Sequence, residues 1–483
     1  MTYRPRPGAR GSGLRSKTGC IPCRQRRKKC DESRPICLGC DRNHLICQWS
    51  APLSSKSPTT DAIRDRGTPQ PDCRETTTQT DKQLSSRAIF PVATGPIIVP
   101  AQLRKGTNRY LFEHFLHVTA KRMAGRTYPE NPFLSCNLKI AFGSTIMQHA
   151  ILAISASHLL YRRPDMAEIC ASHYAIVLRA MKHAVTRWKA LHIRDQIALL
   201  ATALALCWFE TIDVNTSGAL YHHLEASKFM FQTVKENLKD HDPSLFGFLA
   251  EQYAYLATVS NITLRSARFD PEMSQTLSLP SLALLNKGSN FYGCLFGCSH
   301  LVYETIPMIC DLAKLRIEEG IAPSQASHQQ YESILGELKV WRPTQRYFTE
   351  DFEYAGQLYR EACLIFLESS FQGPDTTNSE LYAAVESCLG RFLEVFAKMS
   401  YESPSWTTVM WPILTAGSHM RCPRQRDQLS DIILNSTFDM RAVDNTLHPL
   451  RLLWEKMAFY DAYYGSYGLE KVLKECGITM CVG

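Results

Sequence analysis

The sequence predicts a mainly α-helical chain in two folded parts. A small metal-held module with two short helices comes first, a large all-α domain follows from about residue 105, and a disordered linker joins them. Three observations carry this reading. Six cysteines fall within Cys20–Cys47. Residues 50–104 are dominated by Ser, Thr, Pro, Asp and Gln, which is linker composition. From about Asn108 onward apolar residues recur at helical spacing, and no stretch shows strand alternation bounded by turn signals.

The cysteine stretch reads CIPCRQRRKKCDESRPICLGCDRNHLIC and contains C-x2-C-x6-C twice, from Cys20 to Cys30 and from Cys37 to Cys47. The two loops differ in charge. Arg24, Gln25, Arg26, Arg27, Lys28 and Lys29 bring five cations in six residues, whereas Asp41–Ile46 is nearly neutral. A segment of 28 residues cannot bury enough apolar surface to offset backbone ordering. It needs cross-links. Arg4, Arg6, Arg10 and Arg15 have no apolar run behind them, so no signal peptide is expected. In a reducing compartment paired C-x2-C units read as metal sites, and zinc suits four thiolates in a tetrahedron. Two separate tetrahedra need eight ligands and only six thiolates are present, so two cysteines must bridge. The symmetry of the repeat nominates Cys20 and Cys37. An iron–sulfur cluster wants four thiolates rather than a doubled six-cysteine repeat.

With these features the stretch resembles the fungal Zn2Cys6 binuclear cluster of Gal4-type transcription factors. All six cysteines match, and Arg24, Arg26, Arg27 and Lys29 occupy the basic positions of the family's C-R-x-[KR]-[KR]-x-K-C element. Pro35 falls at the family's inter-loop proline. The resemblance implies two zinc ions held by Cys20, Cys23, Cys30, Cys37, Cys40 and Cys47, with the first and fourth cysteines shared.

One short helix is expected per copy. Pro22 suits a first helical turn, where its missing N–H costs nothing. From Cys23 onward Arg24, Arg27 and Lys28 fall at helical spacing on one face. Modules of this kind place a helix in the major groove of double-stranded DNA. The resemblance implies reading of CGG-like triplets, with Arg26 and Arg27 at the base-contacting positions. Arg24, Lys28, Lys29 and Arg34 are then expected on phosphates, which position but do not specify.

Charge follows the same division. The first 50 residues hold 12 Lys and Arg against 3 Asp and Glu, while the rest of the chain is balanced, 42 against 43. The basic excess is a local nucleic-acid footprint. Residues 1–17 are expected as a disordered basic arm, 18–49 as the DNA-binding module and 50–104 as linker. Within the linker, Ala88–Pro100 is apolar and proline-interrupted, a candidate to lie extended on the next domain. No sustained heptads follow the cysteines, so a dimer would have to form through the C-terminal domain.

In residues 105–483 one predicted stripe is Leu111, Phe115 and Val118. Others are Leu245, Phe248, Leu249 and Leu256; Tyr331, Ile334, Leu335, Leu338 and Trp341; and Leu381, Val385, Cys388, Leu389, Phe392 and Phe396, the last entered through a Thr377…Glu380 capping box. Roughly 12 to 16 helices are expected. The 12 cysteines outside the cluster read as small buried hydrophobes. The longest apolar run, Ile197–Phe209, is shorter than a membrane span, and no membrane partner is expected. The domain resembles the fungal-specific transcription factor domain, in the branch that includes sterol-responsive regulators. The carrying stretches are Arg109–Phe115, Asn131-Pro132-Phe133, Ala150–Leu159, Trp411-Pro412, Ala416-Gly417 and Trp454.

The sequence carries no G-x-S-x-G, H-E-x-x-H, P-loop or kinase signature, and its 15 histidines do not cluster with carboxylates at ligand spacing. No catalytic residue is expected, and the chain reads as a non-enzyme. His158 reads as a hydrogen-bonded core residue. The resemblances imply a nuclear, DNA-binding transcription factor of RNA polymerase II genes, controlling a metabolic or biosynthetic gene set. Co-regulators are expected partners, and a homodimer and a small-molecule effector are open to it. The alternative is a sterol- or metabolite-responsive regulator or interaction platform in which the helical domain dominates and DNA binding is weak.

Overall fold

The computed structural model describes residues 19–26, 28–33, 37–42, 99–125, 131–260, 293–320, 322–343, 349–373 and 379–478. The chain divides into two compact units, Met1–Arg104 and Lys105–Gly483. In the first, α1 (Ile21–Gln25) and α2 (Leu38–Asp41) each begin directly after a cysteine. Pro22 occupies the first turn of α1. Most of Ala88–Pro100 lies outside the described residues.

The second unit is helical throughout, with no strand among the described residues. It opens with α3 (Gly106–His114), a π turn over Phe115–Thr119 and the short α4 (Ala120–Arg122). The π turn inserts an extra residue into the helical register. As a result Leu111, Phe115 and Thr119 are buried while Val118, expected on that face, is only half-buried. Next come α5 (Pro132–Ala141), α6 (Thr145–Leu160), α7 (Ala167–Val185), α8 (Ile193–Asp213), α9 (Ala219–His241) and α10 (Pro243–Ser260). The remainder is α11 (His300–Glu319), α12 (Gln325–Val340), α13 (Glu350–Gln372), α14 (Ser379–Phe396), α15 (Met410–Ser418), α16 (Pro423–Leu434), α17 (Arg441–Met457) and α18 (Gly465–Glu475). These sixteen helices among the described residues meet the upper end of the expected range.

Short connections set consecutive helices side by side. α6 packs on α7 and α8, and α8 on α9. In the second group α13 is central, touching α11, α12, α14 and α15. α17 reaches back to α8, and α10 meets α11, which joins the two groups. α8 is longer than its apolar run because Arg194, Asp195, Glu210 and Asp213 fall inside it. By length and composition it could cross a membrane, but 89% of its most apolar window is buried in the fold, as in a central core helix.

A run of rings crosses the unit. Phe133 meets Trp208 edge-on at 5.3 Å, and Trp208 stacks on Tyr255 at 6.1 Å. Tyr255 lies 5.9 Å from Tyr303, which lies 4.1 Å from Tyr359. Tyr359 stacks on Trp411 at 5.7 Å, and Phe366 meets Trp411 edge-on. Each such pair adds about 0.5–1.5 kcal/mol beyond its buried area.

The motif residues do structural work here. Asn131 caps α5 by accepting from Phe133 N (2.9 Å) and donates to Ala120 O (2.7 Å). Trp454 Nε1 donates to Gly417 O at 2.9 Å, and a Cβ on Gly417 would lie 2.6 Å from Leu450 Cδ1. Thr377 of the expected capping box lies outside the described residues, but the α14 stripe is buried as expected. In α12 Ile334, Leu338 and the following Trp341 are buried, with Tyr331 and Leu335 half-buried.

Of the scattered cysteines, Cys136, Cys170, Cys207, Cys294, Cys310, Cys363 and Cys388 are buried. Cys422 and Cys476 are exposed, against expectation, because they sit at the caps of α16 and α18 rather than on an inner face. Cys73 and Cys481 lie outside the described residues.

Buried and half-buried histidines tie elements together. His158 contacts Thr119 Oγ1 (3.0 Å), His114 (3.3 Å) and Asp439 O (3.0 Å). His149 Nδ1 lies 2.8 Å from His173 Nδ1, an arrangement that needs one ring to donate and the other to accept. Burial, reinforced by the neighbouring imidazole, pushes His114 and His173 down to about 4. Both are therefore neutral in the fold over a range where the unfolded chain, near pKa 6.5, binds protons. The unfolded state takes up more protons between about pH 6.5 and 4, so stability is lost as pH falls through that window. The melting temperature of the full-length protein should drop with pH there, and His173→Gln should flatten the slope. An unchanged slope in the variant would remove His173 from this account.

Candidate metal centre and nucleic-acid interface

Five of the six expected cysteines are described, and all five are buried in one another's company. Cys47 lies outside the described residues. Cys20 Sγ is 3.6 Å from both Cys37 Sγ and Cys40 Sγ, and Cys23 Sγ is 3.5 Å from Cys37 Sγ. The sulfurs of Cys20, Cys23, Cys30 and Cys37 all lie within 4.8 Å of one another. Four thiolates at about 2.3 Å from a zinc ion stand about 3.8 Å apart, so this donor set fits a tetrahedral zinc site in kind and spacing. Cys20 and Cys37 touch each other; Cys37 also meets Cys23, and Cys20 also meets Cys40.

Local geometry seats these sulfurs. Cys37 is the N-cap of α2 and its Sγ accepts from Cys40 N at 3.3 Å, in the place of the usual hydroxyl or carboxylate cap. Glu32 N donates to Cys30 Sγ at 3.4 Å, from a residue in the left-handed region at φ 62°. Burial raises the Cys37 thiol, but the Cys40 N–H and the neighbouring sulfurs outweigh it and bring the group down to about 6. Burial pushes Cys23 and Cys30 up.

The basic run sits otherwise than on one helical face. α1 ends at Gln25, with Arg26 as its C-cap and Lys28 N closing on Cys23 O at 3.0 Å. Lys28 and Lys29 are therefore beyond the helix. The reason is the reach of Cys30. A continued helix would carry it about 10 Å along the axis from Cys23, at about 1.5 Å per residue, whereas their sulfurs converge. Arg24, Lys28 and Lys29 are exposed and Arg26 is half-buried. Arg27 and Arg34 lie outside the described residues.

Outside this centre, Tyr174 OH donates to the buried Glu210 carboxylate, and His223 Nε2 lies 3.4 Å from Glu210 Oε1. Sequence reading missed this histidine–carboxylate contact because the three groups come from α7, α8 and α9. Among the described residues, only the cysteine group gathers three or more metal-ligating side chains.

Residues 110–483 match the fungal specific transcription factor domain, and residues 18–57 match the fungal Zn(2)-Cys(6) binuclear cluster domain, which binds two zinc ions. The chain belongs to the fungal specific transcription factor domain family. It is 29% identical over 180 residues to the Zn(2)-C6 fungal-type transcription factor afumD of Aspergillus fumigatus, covering 37% of this chain and 41% of that protein. It is 51% identical over 39 residues to the transcriptional regulatory protein pro1 of Neurospora crassa, covering 8% and 6%. It is 43% identical over 58 residues to the aspercryptin biosynthesis cluster-specific transcription regulator atnN of Emericella nidulans, covering 12% and 9%. The matches thus span about two fifths of the first relative's length and under a tenth of the other two. No solved structure matches the chain.

Gly19 is packed against the centre, where a Cβ would lie 2.8 Å from Cys30 Cβ. Gly19→Val should push Cys30 away from the other sulfurs. The zinc-loaded variant should pass metal to a colorimetric chelator faster than the wild type. Equal transfer rates would mean that Cys30 is not held by this contact.

Proposed function

We propose that the protein is a nuclear, sequence-specific DNA-binding transcription factor of RNA polymerase II genes. The observation that carries the reading is a converged set of buried cysteine sulfurs in a stretch that also displays the exposed cations Arg24, Lys28 and Lys29. Cys20, Cys23, Cys30 and Cys37 hold one zinc ion. Cys20, Cys37, Cys40 and Cys47 hold the other, with Cys20 and Cys37 shared. Zinc supplies the cross-link that a core would otherwise provide, so metal binding and folding of residues 18–49 are one event. Residues 1–17 form a basic arm, 50–104 a linker, and 105–483 the regulatory domain. Catalysis plays no part.

Arg26 and Arg27 read a CGG-like triplet, while Arg24, Lys28, Lys29 and Arg34 hold phosphates. The exposure of Lys28 and Lys29 suits a positioning role on phosphates. Co-regulators, a second copy of the chain and a small-molecule effector are partners for the helical domain. The name of the Emericella relative favours a biosynthetic gene set as the target.

Two experiments test this. Binding to a duplex library should show that Arg27→Ala loosens sequence preference, whereas Lys29→Ala weakens all duplexes alike and shallows the salt dependence by about one charge. The same loss on random duplex for both variants would end that division of labour. Zinc counting should show that Cys20→Ala and Cys37→Ala each disturb both sites, while Cys23→Ala and Cys47→Ala chiefly empty one. Equal loss in all four would remove the bridging assignment.

A further inference from the structure

A cavity of about 360 Å³ opens between the end of α12, α13 and α14. That is near the lower end of ligand pockets, which run from about 300 to 1,000 Å³. Trp341, Pro343 and Val395 give it an apolar wall. Its charged groups are three guanidiniums, Arg342, Arg360 and Arg391, and two carboxylates, Glu361 and Glu394.

The charges are fixed in an ordered way. Glu361 is 3% exposed, and both its oxygens are taken, by Arg360 Nη1 (2.7 Å) and Arg391 Nε (2.9 Å). Arg360 Nε is also tied to Leu338 O at 2.9 Å. Arg391 is tied to Ser387 Oγ at 2.8 Å and Cys388 Sγ at 3.0 Å. Arg342 Nη1 donates to Lys339 O (2.8 Å) and Trp341 O (2.7 Å). The guanidiniums are therefore held before any ligand arrives, which lowers the ordering cost of binding. Nη2 of Arg342, Nη2 of Arg360 and the side-chain amide of Gln357 donate no hydrogen bond to the described residues, although all three residues line the cavity.

We infer that this pocket binds a small monoanionic acid with a flat apolar body, of the aromatic carboxylate class. Nη2 of Arg342 and Nη2 of Arg360 can each give a carboxylate oxygen a charge-assisted hydrogen bond. The apolar wall of Trp341, Pro343 and Val395 suits a flat apolar body. The excess of a single positive charge favours one carboxylate over a dianion such as phosphate. This differs from the enclosed apolar effector site that an aromatic-rich helical core suggests. The inner rings of this unit pack on one another instead.

The test is calorimetric titration of the zinc-loaded full-length protein with indole-3-acetate, and with indole-3-acetamide as its uncharged counterpart. The acid should bind saturably at one site per chain with Kd below about 1 mM. The amide should bind about tenfold or more weaker, for want of the charge-assisted bonds. Arg342→Gln alters an exposed side chain and should weaken the acid by a similar factor. Val395→Trp should fill the cavity and abolish binding, and both variants should keep the wild-type melting temperature. The inference is overturned if neither indole-3-acetate nor benzoate gives saturable heat, if acid and amide bind alike, or if acid binding survives both substitutions. Failure of the protein to bind DNA would bear on the preceding proposal and not on this pocket.

Discussion

Four cysteine sulfurs brought within 4.8 Å of one another are the constraint on which the first unit depends. With so few residues there is no hydrophobic alternative, so the backbone follows the sulfurs. α1 is cut short at Gln25, and Cys23 O takes up the Lys28 N–H that helical continuation would have directed elsewhere. α2 starts where Cys37 caps it with its own sulfur. The same turn that returns Cys30 to the cluster strands Lys28 and Lys29 on the outside. Gathering thiols and displaying cations are thus one piece of geometry.

The second unit rests on different physics. Its stability comes from apolar and aromatic burial, but its uniqueness comes from polar side chains that reach across elements to backbone groups. Ser155 Oγ donates to Leu111 O at 2.7 Å, locking α6 to α3. The buried Glu251 carboxylate accepts from Leu295 N at 2.7 Å and Phe296 N at 3.2 Å, fixing the entry to α11. Arg316, 1% exposed, donates to Phe371 O and pairs with Glu319. Such buried hydrogen bonds select one packing among many that would bury similar area.

What was legible in the sequence divides along the same line. The cysteine repeat could be read because ligand spacing maps directly onto chemistry. The helices could be read because burial of one face imposes a period, as in Leu381–Phe396. Where a neighbour far along the chain decides, local pattern was silent. The early end of α1 is set by Cys30, and the offset of Val118 by the π turn that contains it. The Tyr174–Glu210–His223 contact and the Arg360–Glu361–Arg391 clamp are assembled from separate helices. Cys422 and Cys476 show the limit of composition, since a residue type that is usually buried is exposed when its position is a helix cap.

The run of rings from Phe133 to Phe366 has a consequence for how the domain can be divided. It crosses from the earlier helices to the later ones at the Tyr255–Tyr303 contact, with Trp208 and Tyr255 before residues 261–292 and Tyr303, Tyr359 and Trp411 after them. A fragment ending at either border would carry half a stack with its last faces open to water. Neither half covers its own share of the stack, so cutting the chain there would expose large aromatic faces that the intact unit buries.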